Sequence, residues 1–134
     1  MTRYIVAYFA TMIVFFAIDY VWLGTIAKTF YRDQIGPLLL DEFKLHWAAG
    51  FYLLYGIGVV IFAVKPGLDS GSLLTALGFG ALVGAMCYGT YDFTNLATLK
   101  GYTATVAFVD FFWGITLTSI SAVSGAWITR MIMG

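Results

Sequence analysis

Asp19, Asp92 and Asp110 lie in stretches where almost every neighbour is apolar. A carboxyl group in such a place can exchange a proton, hold a cation or a hydrogen-bond donor of a ligand, or act as acid or base on a substrate. A charge near the centre of a bilayer costs about 2.5–3.5 kcal/mol on insertion scales. No lysine or arginine shares the stretches that hold these three acids. Polar partners or bound protons must offset the cost instead.

The neighbours of the acids extend the pattern. In "YGTYDFTNLA", Tyr88, Asp92 and Asn95 fall at i, i+4 and i+7, one face of a helix, with Tyr91 and Thr94 at its flanks. "DYVWLGT" from Asp19 matches "DFFWGIT" from Asp110, each with an aspartate and a tryptophan three apart. Trp22 and Trp113 therefore share helical faces with Asp19 and Asp110. An indole donates one hydrogen bond and offers a flat apolar face. Trp22 also suits an interface anchor, whereas Trp113 lies deeper than Asp110 and fits that role poorly.

The elements that must position these groups follow from composition. The 134 residues are 61% hydrophobic and only 10% charged, against about 25% charged in a soluble domain. So few charges cannot solvate a globular surface, and the chain is read as a polytopic membrane protein. Seven acids balance seven bases, and without a basic patch no nucleic-acid partner is expected. Cys87 is the only cysteine and His46 the only histidine. An intramolecular disulfide, a cysteine metal site and a multi-histidine box are all excluded, and no metal or cofactor is expected.

A spanning helix needs about 20 mainly apolar residues. Four stretches qualify, at about 4–27, 45–64, 73–96 and 103–128. The fold expected is an all-α, integral membrane four-helix transmembrane bundle in a single domain, 1–134. The first stretch carries Asp19 and lacks a convincing cleavage site, so it is read as a retained helix rather than a signal peptide. Between the first two spans, "GPLLLDEF" suggests a turn and a short interfacial helix over 37–44. "KPGLDSGS", Lys65 to Ser72, reads as a plain turn.

Four spans put both termini on one face, A, opposite face B. Arg3, Lys65 and Arg130 fall on A; Lys28, Arg32, Lys44 and Lys100 fall on B. That near balance leaves orientation open, with a leaning towards cytoplasmic termini. Counted from the expected helix ends, Asp19, Asp110 and Asp92 lie about 12, 10 and 6 Å below face B, and His46 begins the second span there. The candidate ligand-binding set is therefore one layer: Asp19, Trp22, His46, Tyr88, Tyr91, Asp92, Asn95, Asp110 and Trp113. The three carboxyls are expected within about 10 Å of one another, facing the bundle interior. Gly80, Gly84 and Tyr88 form a small-residue face on the third span, suited to packing within the bundle or to a homodimer.

At "DYVWLG", "YGTYDFTNLATLKG" and "DFFWG" the chain resembles the DUF2177 family of small bacterial membrane proteins, over nearly its whole length. The resemblance implies a four-helix, multi-pass protein of the bacterial inner membrane. It carries no activity, substrate or catalytic residue.

Three function classes fit. The first is a protein that binds or carries a small amphipathic or lipid-like ligand, with proton linkage through the aspartates. The second is an enzyme acting on a membrane lipid or isoprenoid, with the aspartates and His46 as acid and base or around one divalent metal, under Trp22, Trp113 and Tyr91. The third is an accessory subunit whose polar layer fixes helix register. Membrane lipids, a small amphipathic ligand and a second copy of the chain are the expected partners. A cavity open to face B would favour the first class, and a dry layer of fully paired carboxyls the third.

Overall fold

A computed structural model describes residues 1–133, with no strand among them. Four helices are long and apolar enough to cross a membrane: α1, Thr2–Gly24; α3, Leu45–Ser70; α4, Leu73–Thr98; and α5, Ala104–Met133. Between α1 and α3 lies a shorter helix, α2, Ile26–Ile35. Closed helices suit lipid because each backbone group is satisfied within its own segment.

α1 stops three residues before the expected boundary. The Thr25 hydroxyl donates to the Val21 carbonyl at 2.6 Å, and Thr25 leaves helical geometry at φ −118° and ψ −87°. A side chain that takes a helix carbonyl in this way competes with the backbone ladder.

The interfacial helix expected over 37–44 is not there. Pro37 supports only a 3-10 turn, Gly36–Leu38, and residues 39–44 are irregular. The helix falls at α2 instead. Ala27, Phe30, Tyr31 and Ile35 recur at helical spacing on its bundle side, while Lys28, Arg32 and Asp33 point outward. Ile35 packs with Tyr102, Val106 and Ala107, so α2 roofs the B end of the bundle.

The turn expected over Lys65–Ser72 is also corrected. α3 is regular over Leu45–Val59, widens to a π turn over Val60–Val64 and resumes over Lys65–Ser70. Pro66 has no N–H and its ring would crowd the carbonyl of Phe62, four residues earlier; the wide turn accommodates both. A 2.8 Å ion pair from Lys65 to Asp69 spans the resumed turn. The chain reverses only at Gly71, at φ +70°. There Gly71 N–H donates to Leu68 and Ser72 N–H to Gly67, the two-bond helix stop that favours glycine.

The core lies along α1, the lower part of α3, α4 and α5, around Phe15, Val59, Val64, Ala76, Leu117 and Ala122. Gly80 and Gly84 are buried against α5, where added β-carbons would meet Ala122 and the Gly114 carbonyl. The small-residue face of α4 thus serves packing inside the bundle, and a dimer would need another surface.

Candidate functional site

The antiparallel threading brings the three aspartates together. Asp19 lies five residues before Gly24, Asp92 six before Thr98 and Asp110 six after Ala104. That sets them about 7.5, 9 and 9 Å below the B ends of their helices, a flatter layer than the expected boundaries implied. Asp92 is fully buried and Asp19 nearly so. Asp110 lies close enough to Asp19 and Asp92 for their charges to interact.

Each carboxyl accepts one bond from an aromatic donor on another element. Trp113 Nε1 donates to Asp19 Oδ1 at 3.3 Å, linking α5 to α1. The Tyr31 hydroxyl descends from α2 to Asp110 Oδ1 at 2.7 Å. Tyr102, in the α4–α5 connection, donates to Asp92 Oδ1 at 2.7 Å. Asp92 Oδ2 has no hydrogen-bond partner, although it is buried. Thr103 caps α5 by accepting from Val106 N–H and donates to Gln34 Oε1 at 3.0 Å, which pins the roof over the layer. Tyr31 and Tyr102 lie outside the spans. Burial, followed by the neighbouring aspartates, raises both phenols above their ordinary value.

The matching Asp–Trp motifs meet across the bundle. Trp22 and Trp113 stack at 4.3 Å between ring centroids and 11° between planes. Together they line a shallow groove on the α1 flank with Ala17, Ile18, Val21 and Ile26. Trp113 meets the acid layer through its bond to Asp19, and Tyr31 of α2 reaches it from the B end.

The main cavity lies on the other flank. Residues 41–50 are all exposed, so the B half of α3 stands away from its neighbours. The gap is a cleft of about 490 Å³ lined by Ala48, Phe51, Tyr52, Tyr55, Cys87, Tyr88, Tyr91 and Asp110. Exposed Ala48, Phe51, Cys87 and Tyr91 form its rim, which places the mouth on the side of the bundle rather than at face B. Tyr88 packs across Gly114, where a β-carbon would strike its ring. Tyr55 shares a 2.6 Å hydrogen bond with Thr118 and closes the lower end.

Of the nine candidate residues, Tyr88, Tyr91 and Asp110 line this cleft. Asp19 and Asp92 are buried behind it, and Asn95 lies one helical turn beyond Tyr91 on α4. His46 is the exception. It is exposed at the start of α3, its nearest aromatic neighbour being Trp47, because the splay of α3 carries it outward. Among the described residues, no group of three or more His, Cys, Asp or Glu side chains is placed to hold a metal ion. Sequence reasoning missed Tyr31 and Tyr102 as partners of the acids. The α2 pattern at Ala27, Phe30, Tyr31 and Ile35 was the available signal for the first; none marked the second.

Four apolar spans around a buried polar layer define a multi-pass α-helical membrane protein. The chain belongs to the DUF2177 family, described as a predicted membrane protein, which it matches over residues 4–127. No curated protein and no solved structure matches it.

Proposed function

We propose that this protein binds or carries a small amphipathic, lipid-like ligand in the bacterial inner membrane, taking it from the bilayer through the α3–α4 flank. The observation that carries this reading is the cleft: an aromatic slot with a side mouth and one carboxyl group, Asp110, on its wall. Its volume falls within the range of small-molecule sites, about 300–1,000 Å³. Aromatic walls suit an acyl or isoprenoid chain. A carboxylate among them suits a cationic or hydrogen-bond-donating head group. Proton linkage is part of the proposal. Neighbouring carboxyl groups are stabilised by one proton held between them, and Asp92 Oδ2, which has no hydrogen-bond partner, is free to take it. A ligand cation at Asp110 would take its place.

The ties from Trp113, Tyr31 and Tyr102 to the three acids support a second reading, a layer that only fixes helix register. Binding of dodecylammonium and of dodecanoate to the purified protein separates the two. The carrier reading expects dodecylammonium to bind, with affinity falling as the pH is lowered. It also expects about tenfold weaker binding in Asp110→Asn and in Ala48→Trp, which fills the slot. Equal binding of both amphiphiles, unchanged in both folded variants, would leave the register reading standing.

A further inference from the structure

The A face carries a second cavity, remote from the acid layer. Its volume is about 290 Å³ and its lining is Arg3 of α1, Leu68 of α3, and Thr129, Arg130 and Met133 of α5. Two guanidinium groups from different helices therefore border one small space. Only one acid is available to them on this face among the described residues, Asp69. Lys65 already holds it at 2.8 Å, and Arg3 reaches it only at 3.8 Å. Arg130 makes no ion pair with a described residue. Three cations thus share one carboxylate.

We propose that the space between Arg3 and Arg130 binds the phosphodiester of an anionic phospholipid in the A-face leaflet. Guanidinium groups present planar, paired N–H donors that match phosphate oxygens, and two of them converge here. The site lies at the ends of α1 and α5, at the level where spanning helices meet the head groups. Leu68 and Met133 supply apolar wall beside the two arginines. Met131 and Ile132, on the same last turn of α5, are exposed. A lipid's glycerol and upper acyl carbons fit such a wall, whereas free phosphate would leave it unused. Net negative charge on the lipid is required because the cation excess remains after Asp69 is counted. Bound there, the lipid would bridge α1 and α5 and stabilise the folded bundle by mass action.

The test uses the full chain in a neutral detergent, titrated with dioleoyl phosphatidylglycerol or dioleoyl phosphatidylcholine, with bound lipid counted by native mass spectrometry. Phosphatidylglycerol should be retained about tenfold more strongly than phosphatidylcholine. Arg3→Gln with Arg130→Gln should remove that preference. Met133→Glu, which sets a carboxylate at the cavity and leaves both arginines in place, should do the same. Lys28→Gln with Lys100→Gln on face B should leave it intact. Equal retention of the two lipids by the unaltered protein would overturn the proposal. So would a preference that survives both A-face variants, or one that only the face B variant abolishes. If inorganic phosphate raises the melting temperature as much as phosphatidylglycerol does, and the arginine pair is needed for both, the site belongs to free phosphate and the lipid assignment falls.

Discussion

The two halves of the bundle are built from the same kind of helix in the same solvent, yet the helices meet closely in one and part around an aromatic cleft in the other. Small residues close the A half. Gly67 sits on Ala76, Gly80 on Ala122 and Ser119, and Gly125 on Thr11, while Ala7, Ala63 and Ala126 are fully buried. Its buried polar groups are hydroxyls, among them Thr11, Ser121 and Thr129. In the B half, tyrosines and Phe51 stand between α3 and its neighbours, and the polar groups are carboxyls. Side-chain size at the helix contacts thus decides where the helices meet closely and where they part. A hydroxyl can bond a carbonyl of its own helix, as Thr129 does to Gly125 at 2.7 Å, although buried Thr11 Oγ1 and Ser121 Oγ make no such bond. Carboxylates accept only, so when ionised these groups draw in donors from other helices, the roof and the connections.

Disturbing the close packing of the A half should have the largest effect. A β-carbon at Gly80 would lie 2.9 Å from Ala122 Cβ, 3.0 Å from Ser119 Cα and 3.2 Å from the Thr118 carbonyl oxygen, none of which can swing away. Gly80→Ala should therefore force α4 and α5 apart and cost about 2–3 kcal/mol. Thermal unfolding in detergent measures it. Ala48→Trp adds far more volume but does so on the exposed rim of the B-half cleft, and should leave the melting temperature nearly unchanged. Equal losses in the two variants would mean that the halves do not differ in packing.

Losing a donor to the acid layer should come next. Tyr102→Phe leaves the fully buried Asp92 with no hydrogen-bond donor, and bonds to charged groups contribute about 1.5–3 kcal/mol. Tyr31→Phe should cost less, about 1 kcal/mol, because Asp110 is only part-buried and borders the cleft. The reverse order would place the more sheltered carboxyl at Asp110.

How much of this was legible in the sequence depended on whether a pattern had two faces. The four spans were readable because length and apolar composition suffice. The convergence of Asp19, Asp92 and Asp110 followed from counting residues to helix ends. The roof helix was harder, since Leu38–Leu40 is the more conspicuous apolar run and the Ala27–Ile35 stripe lies among charges. Pro66, Gly67 and Gly71 read as a turn by type, and nothing local reveals the wide turn that lets the helix continue past Pro66. The splay of α3 was out of reach. Its B half is apolar on every side, so the sequence does not single out the face that turns to the bundle.

A smaller effect is expected at high pH. The ordinary phenol ionises near about pH 10, and Tyr31 and Tyr102 are raised above that in the folded protein. The folded state then holds protons that the unfolded chain releases. Their contribution is fully present below about pH 10 and declines as the pH rises beyond it. Stability followed by denaturant unfolding should be flat from neutral pH to about 10 and fall above it. Tyr102→Phe should make the fall shallower. A fall that begins well below pH 10 would point to other groups.

The smallest expected effect is at His46, and it sharpens the comparison because the expected value is close to nothing. His46 begins α3, on the stretch that stands off the bundle, and its only close aromatic neighbour is Trp47. Exposed side chains away from caps and networks change stability by no more than about 0.5 kcal/mol on substitution. His46→Ala should therefore leave both the melting temperature and dodecylammonium binding unaltered. That outcome requires α3 to keep its splay when the cleft is filled. Were the upper half of α3 to swing in towards α4 and α5, His46 would travel with it towards the acid layer, the one movement that would reunite it with Asp19, Asp92 and Asp110. A His46→Ala variant that melts normally but binds the amphiphile several-fold more weakly would reveal that movement. The open B half would then be one state of a closing cleft, against an A half that has no comparable freedom.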